Sequence, residues 1–343
     1  MRNQAFDSIK GLLVLLVVVG HVLLGSLADN VWRYLIYLFH MPLFLGLTGY
    51  FVKPKLLQQS AKAILTKYYQ RLLRPFFLAM IVYYGLTNYQ KPLHAILTNI
   101  FSLYPYYHLW YVPAILLFVV YTKVINTWLN RRYYTIFWLI FAIAGGCTWF
   151  FESVSQWGLS SHWLYQAVGD KRFYYFFSYF LLGFLWANRQ NFAIYVQIVR
   201  LERYFYPLTV GLLLFSGLGL YVAIVKNFIF TSGFFKIIFN NILIIVCLRW
   251  AENTTTLPIC YQQNRLRRIL ARIGQVSLPI YLWHVLPILL LKQRFANQII
   301  NYYWVSGIVL SVLIGLFIVL EDKSLWLNRW LYGKNTIPTM INH

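Results

Sequence analysis

Long apolar runs separated by short charged segments are the feature that most constrains this chain. A run of roughly 18 or more apolar residues is long enough to cross a bilayer as an α-helix, and a helix satisfies its backbone polar groups internally, as lipid requires. We therefore predict an all-α polytopic membrane protein: a bundle of about ten transmembrane helices in a single domain, 1–343, with no separate soluble domain. The predicted spans are 6–27, 32–52, 72–88, 108–128, 133–151, 173–188, 205–225, 231–250, 274–292 and 302–321.

The distribution of charge supports this topology. The 343 residues are 60% hydrophobic and only 11% charged, with a formal net charge of +22, whereas soluble domains are typically about 25% charged. One set of alternate loops carries 21 of the 30 basic residues and the other set carries seven. Basic loops face the cytoplasm, so both termini are predicted to be cytoplasmic. The basic residues form no stripe interleaved with aromatic residues, so no nucleic-acid partner is expected.

The first span, DSIKGLLVLLVVVGH (7–21), carries ionisable groups that a lipid-facing anchor does not need. Lys10 and His21 are 11 residues apart, so at about 100° and 1.5 Å per residue they share a helix face and lie about 16 Å apart. Asp7 precedes Lys10 by one turn and can form an ion pair with it. Because ionisable groups are costly in lipid, we expect this face to point into the bundle. In the alternative, His21 is an interhelical hydrogen-bonding residue and Lys10 reaches to the cytoplasmic surface.

The second span, YLFHMPLFLGLTGYF (37–51), contains another histidine. The first span rises from the cytoplasm and the second descends, so His40 is expected at a depth similar to that of His21. The two histidines can share a site. Alternatively, His40 is a core residue beside the kink that Pro42 produces.

Two arginines open the third span in the stretch YYQRLLRP (68–75). Arg71 and Arg74 are three residues apart and share a helix face. Two guanidinium groups at a membrane entrance suit a ligand that carries phosphate. The alternative is ordinary anchoring of the cytoplasmic side by positive charge.

Further polar residues interrupt later spans, and their accumulation predicts a polar cavity through the bundle. Each of them can instead be a core group with satisfied hydrogen bonds. The three cysteines form no spacing typical of a metal site, and no metal is expected. The possible cavity-lining residues are His108, Lys236, Asn240 and His284.

Several stretches, taken together, resemble the integral-membrane acyltransferase 3 family over nearly the whole chain. The first helix of that family carries a basic residue, ten residues and a histidine, which Lys10 and His21 match, although many members have arginine at the first position. Arg71-Leu-Leu-Arg74 resembles the paired-arginine motif of the family, and FHMPLFLGLTGYF is similar to its second helix, with Thr48 at the usual serine position. HLWYVPAIL and VSLPIYLWH resemble its later histidine-containing stretches.

The resemblance implies transfer of an acyl group, most simply acetyl, from cytoplasmic acetyl-CoA to a hydroxyl outside. The acceptor would be a polysaccharide or a lipid-linked glycan, in the cell membrane of a bacterium and in company with polysaccharide-synthesis machinery. Arg71 and Arg74 would hold the phosphates of coenzyme A. His21 would act as general base or as a transient acyl carrier, supported by Asp7 and Lys10 and oriented by His40 or a backbone carbonyl.

Two other classes of function compete with this interpretation. A multi-pass exporter of glycan or lipid-linked saccharide explains the helices and the cavity, but it leaves the arginine pair and the buried histidine unexplained, and the chain lacks paired discontinuous segments typical of inverted-repeat transporters. A structural scaffold explains the helices alone.

Overall fold

The computed structural model describes residues 4–27, 29–87, 108–128, 133–134, 136–143, 171–189, 229–254 and 264–335, and the single positions 92, 207 and 211. Within these ranges the protein is all-helical and contains no strand. The helices are α1 Gln4–Val22, α2 Val31–Tyr50, α3 Pro54–Leu57, α4 Ala61–Tyr68, a first π-helical turn Tyr69–Leu73, α5 Arg74–Thr87, α6 Tyr111–Trp128, α7 Lys171–Ala187, α8 Ile229–Thr254, α9 Arg265–Gln275, α10 Ser277–Trp283, α11 Val285–Arg294, α12 Ile299–Leu320, α13 Leu325–Leu327 and a second π-helical turn Asn328–Tyr332.

Short polar side chains define where several of these helices begin. The side chain of Asn30 accepts the amide of Arg33 at the start of α2, and that of Ser60 accepts the amide of Ala63 at the start of α4. Asn264 does the same for α9. Each cap satisfies one of the amide groups that the first turn of a helix leaves without a partner.

The predicted spans correspond to helices wherever the structure describes them, but fewer helices meet a strict test of length and apolarity. Two described helices, α1 and α12, are long and apolar enough to cross a membrane, and a third span is counted if α9 and the segment Ser277–Arg294 are one path bent by 63°. The predicted span 205–225 lies outside the described residues apart from positions 207 and 211. The ten-helix count and the cytoplasmic termini therefore stay predictions.

The chain forms two compact units. The first unit comprises Met1–Leu24, Ser60–Pro113 and Thr254–His343, and the second comprises Gly25–Gln59 and Ala114–Asn253. Each unit draws on segments that are distant in sequence, so the first and last parts of the chain fold together.

In the first unit, α1 packs directly on α9 through two glycines. A side chain at Gly11 would collide with the backbone carbonyl of Leu270, and one at Gly274 would collide with that of Asp7. Because a Cβ atom points toward the N-terminus of its own helix, this reciprocal pattern means that the two helices run parallel where the glycines meet. The hydroxyl of Ser8 adds a hydrogen bond of 3.0 Å to the carbonyl of Arg267.

In the second unit, α2 and α7 meet in the same way. A side chain at Gly49 would collide with the carbonyl of Phe180, and one at Gly183 would collide with that of Gly46. Small residues that allow such close backbone contact are the usual means of helix association in membranes.

Helix α2 also runs beside α8 in a constant register. Lys236 Nζ lies 5.9 Å from the ring centre of Tyr34, and the side chain of Asn240 donates to the carbonyl of Leu38. At the other end of both helices, the hydroxyl of Tyr50 donates to Glu252. Contacts that advance together along both chains show that the two helices are parallel.

Glu252 joins the ends of three helices in the second unit. Arg189, just beyond the end of α7, binds both carboxylate oxygens at 2.9 and 2.8 Å, and Tyr50 donates to the same group at 2.9 Å. A bidentate arginine–carboxylate pair is strong and fixed in direction, so this group fastens α2, α7 and α8 at one end.

Candidate functional site

An interruption of the helical path at His284 organises the candidate site in the first unit. Helix α10 ends at Trp283 and α11 begins at Val285. Pro287 has no amide hydrogen and its ring clashes with the carbonyl four residues earlier, so the path cannot continue as a regular helix. In an uninterrupted helix the amide of Leu286 would donate to the carbonyl of Leu282. Instead it donates to the hydroxyl of Tyr83 at 2.9 Å.

Side chains take over the backbone groups that the interruption releases. The carbonyl of Leu282 is 3.3 Å from Nε2 of His108. Nδ1 of His284 is 2.8 Å from the carbonyl of Tyr281. It is also 3.0 Å from the carbonyl of Ile280, which keeps its helical bond from the amide of His284. All of these groups are buried, and a buried carbonyl that lost its helical partner would be costly without such a replacement.

These bonds fix which nitrogen carries hydrogen in two imidazole rings. A carbonyl only accepts, so the nitrogen that faces it must donate. Nδ1 of His284 and Nε2 of His108 therefore carry hydrogen, and in the neutral rings the opposite nitrogens are acceptors. Nε2 of His284 is buried and makes no hydrogen bond with any residue in the described ranges.

His21 lies against both rings. Its ring centre is 5.1 Å from that of His284 and 6.3 Å from that of His108, and the last two are 5.5 Å apart. Three histidines from α1, the segment before α6 and the α10–α11 junction therefore form one cluster.

The end of α1 is held in place from outside the helix. Lys292 Nζ donates to the carbonyl of His21 at 3.2 Å, and the hydroxyl of Tyr302 donates to that of Val22 at 3.0 Å. The amide of Leu24 donates to the hydroxyl of Tyr303. The final carbonyls of a helix lack internal partners and carry partial negative charge, so a lysine there stabilises the turn that carries His21.

Two tyrosines complete the cluster, and neither was anticipated from the sequence. The ring of Tyr83 lies 4.9 Å from that of His108, and the hydroxyl of Tyr281 donates to the carbonyl of His108. Tyr281 lies within the VSLPIYLWH stretch, and Pro287 three residues after His284 signals an interruption. Tyr83 carries no comparable signal, because its role depends on an amide 203 residues away.

The predicted ion pair at the other end of α1 is present. Lys10 Nζ lies 3.4 Å from Asp7 Oδ1, and Asp7 is almost fully buried. Lys10 is within α1, 11 residues before His21, so helical geometry places the pair about 16 Å from the imidazole along the axis. The supporting role of Asp7 and Lys10 in catalysis stays a prediction.

The arginine pair also belongs to the first unit. Arg71 lies in the first π-helical turn and Arg74 follows it. Neither guanidinium group forms an ion pair or a hydrogen bond with another residue in the part of the chain that the structure describes; Arg74 instead lies near two aromatic rings, 5.7 Å from Tyr69 and 5.9 Å from Trp330.

The remaining predicted residues lie in the second unit. His40 is buried, with Nδ1 2.6 Å from the carbonyl of Ile36. Asn240 is fully buried and donates to the carbonyls of Leu38 and Lys236. The structure thus gives these residues local partners, and the prediction that His40, Lys236 and Asn240 share a cavity with His21 stays untested.

No three of the histidine, cysteine, aspartate and glutamate residues within the described ranges are arranged to hold a metal ion. The histidine cluster offers instead a set of neighbouring nitrogens in a buried setting, which suits proton transfer.

Comparisons with known proteins found a family and one relative to which this chain is similar. A family model described as an acyltransferase domain matches residues 3–320. Nodulation protein NolL from Sinorhizobium fredii (strain NBRC 101917 / NGR234) is 41% identical over 66 residues, a match that covers 17% of this chain and 18% of that protein. No solved structure matches the chain.

Proposed function

This chain belongs to the acyltransferase 3 family, and from that premise we propose that it is a membrane-bound O-acyltransferase that uses acyl-CoA. The donor group is most simply acetyl, delivered from the cytoplasm. The acceptor is a hydroxyl of a polysaccharide or lipid-linked glycan at the outer side of a bacterial cell membrane, and polysaccharide-synthesis machinery supplies it.

One observation carries the proposal: His21 lies 5.1 Å from His284 in the same compact unit that contains the arginine pair. A general base must be oriented and within reach of the hydroxyl proton that it accepts. The buried rings of His108 and His284 orient the half-buried His21. The guanidinium groups of Arg71 and Arg74, which form no ion pair or hydrogen bond within the described ranges, suit phosphate.

In the proposed reaction, His21 accepts the proton of the acceptor hydroxyl as its oxygen attacks the thioester carbonyl. A carbon–oxygen bond forms, the carbon–sulfur bond breaks, and coenzyme A leaves as a thiolate that takes the proton back from His21. During the reaction one nitrogen of His21 donates a hydrogen bond to Nε2 of His284, which has no hydrogen-bond partner among the described residues in the structure, and the other nitrogen of His21 acts as the base. Acylation of His21 itself is the alternative route.

The test is transfer of radiolabelled acetyl from acetyl-CoA to a glycan by the purified, reconstituted protein. We expect His21→Gln to abolish transfer while the protein still folds and binds acetyl-CoA, because glutamine keeps hydrogen bonding but cannot act as a base. Gln293→Ala, an exposed change at the end of α11, serves as the matched control. Normal turnover by His21→Gln would contradict the mechanism, and glycan movement without acylation would favour an exporter.

A further inference from the structure

Two π-helical turns, far apart in sequence, lie against each other in the first unit. Gly333 follows the second turn with a positive φ of 64°, and a side chain on it would collide with the carbonyl of Arg71 in the first turn. The side chain of Asn335 donates to that of Gln70 at 2.6 Å. Turns of this kind are rare and concentrate at functional sites.

The contact brings an aromatic ring to the arginine pair. The guanidinium of Arg74 lies 5.9 Å from the ring centre of Trp330 and 5.7 Å from that of Tyr69. Such contacts engage the face of a guanidinium group and leave the N–H groups at its edge available. The rings therefore restrict where Arg74 points without occupying the atoms that would bind phosphate.

The segment that carries Trp330 is itself anchored. Lys334 Nζ lies 2.7 Å from Glu321 and 3.2 Å from Asp322. Asn328 donates to Asp322 at 3.1 Å, and the hydroxyl of Tyr332 donates to the carbonyl of Phe317 at 2.6 Å. An anchored ring loses little freedom when a ligand binds, so it can pre-organise its neighbour.

This segment lies beyond residue 320, where the match to the family model ends. We propose that residues 328–334 form a clamp that holds Arg74 in the orientation that binds the phosphates of the acyl donor, with Trp330 as the positioning residue. The inference rests on the proposed function for the identity of the donor, but the clamp requires only a phosphate-bearing ligand.

The test compares binding of coenzyme A and of inorganic pyrophosphate by the full chain, purified in a neutral detergent, using calorimetry. Trp330→Leu keeps an apolar side chain without a π face, and we expect it to weaken both ligands roughly tenfold. Trp330→Phe restores a face and should bind within about threefold of the wild type. Trp326→Leu, at an exposed tryptophan of the preceding helix α13, should change nothing, and unfolding temperatures check that each variant is folded.

The outcomes separate the clamp from the enzyme. Unchanged binding by Trp330→Leu, an equal loss in Trp326→Leu, or no binding of either ligand by the wild type overturns the clamp. A loss specific to Trp330→Leu in a protein that transfers no acyl group supports the clamp and refutes the proposed function. In a second experiment, binding to phosphatidylglycerol vesicles is measured for the wild type and for Trp330→Leu. If the substitution weakens binding to these vesicles but not to coenzyme A, the arginines bind lipid and the inference is overturned.

Discussion

The imidazole rings of His21 and His284 lie with their centres 5.1 Å apart, although they come from opposite ends of the chain. The hydrogen on Nδ1 of His284 is committed to the carbonyls of Ile280 and Tyr281. The other nitrogen of a neutral His284, Nε2, can therefore only accept a hydrogen bond. Any hydrogen bond between the two rings through this nitrogen must be donated by His21.

The first prediction separates the two nitrogens of His284. Asparagine reproduces the Nδ1 position and glutamine the Nε2 position, so His284→Asn should lower kcat roughly tenfold to a hundredfold while His284→Gln retains most of it. The KM for acetyl-CoA should stay the same in both, because neither change touches the arginine pair. Steady-state kinetics of the reconstituted protein measures this.

A purely structural role for His284 would give a different pattern. Both substitutions would then lower the unfolding temperature to a similar extent. The kcat of each variant would depend on how much of the protein is folded and not on whether asparagine or glutamine replaces His284.

The second prediction concerns the hydroxyl of Tyr83. Tyr83→Phe leaves the partly buried amide of Leu286 without its acceptor, so it should cost about 1–3 kcal/mol of unfolding free energy. Thermal or denaturant unfolding measures the loss. Tyr69→Phe, at an exposed tyrosine in the first π-helical turn, is the control and should be near neutral; equal effects of the two changes would contradict the assignment.

The third prediction tests the donor site. Arg74→Ala should weaken acetyl-CoA binding by about tenfold to a hundredfold, because a charge-assisted phosphate contact is worth about 1.5–3 kcal/mol. Arg74→Lys should recover only part of it, since an ammonium group cannot form a bidentate fork. Lys62→Ala removes an exposed charge from α4 and should have no effect. If Arg71→Ala and Arg74→Ala both bind acetyl-CoA as tightly as the wild type does, the two arginines serve only to orient the protein in the membrane.

The fourth prediction addresses helix packing. Gly274→Ala should destabilise the protein by more than about 2 kcal/mol, because its new methyl group meets the backbone of α1 and must push the helices apart. Gly315→Ala, on α12 with no atom of the described structure near its added Cβ, should be neutral or stabilising. The two variants are compared by the yield of folded protein after detergent extraction and by the unfolding temperature.

The fifth prediction concerns orientation. Basic loops place Gln58 in the cytoplasm and Asn297 outside, and both side chains are exposed. In a variant whose native cysteines are replaced by serine, a membrane-impermeant thiol reagent added to intact cells should label Asn297→Cys and spare Gln58→Cys. The reverse pattern would invert the topology.

The helices followed from the sequence because apolar runs and their boundaries are local signals. The predicted span 32–52 corresponds to α2, Val31–Tyr50, and 302–321 corresponds to α12, Ile299–Leu320. The predicted span 274–292, in contrast, is divided at Val276 and again at His284. Hydropathy averages over a window and does not register such interruptions.

The sequence identified the individual residues of the candidate site, but it did not predict that they form one cluster. His21, His108 and His284 were each identified as polar residues in apolar surroundings, but their meeting depends on packing between segments that are distant in sequence. The nearest signal was Pro287, whose missing amide implies that a carbonyl must find another partner. The amide of Leu286 one residue earlier also leaves the helical pattern and donates to Tyr83, and which side chain then reaches the carbonyl of Leu282, here His108, is decided by tertiary structure.

The interruption at His284 also sets a limit on how stable this protein can become. Tyr83, His108 and His284 are all engaged with backbone groups that a continuous helix would satisfy by itself. Replacing Pro287 with a good helix former would favour the continuous helix and release those side chains from their positions around His21. A substitution selected only for thermal stability would therefore restore the continuous helix and disrupt the histidine cluster. Stability and activity thus favour different residues at this one turn.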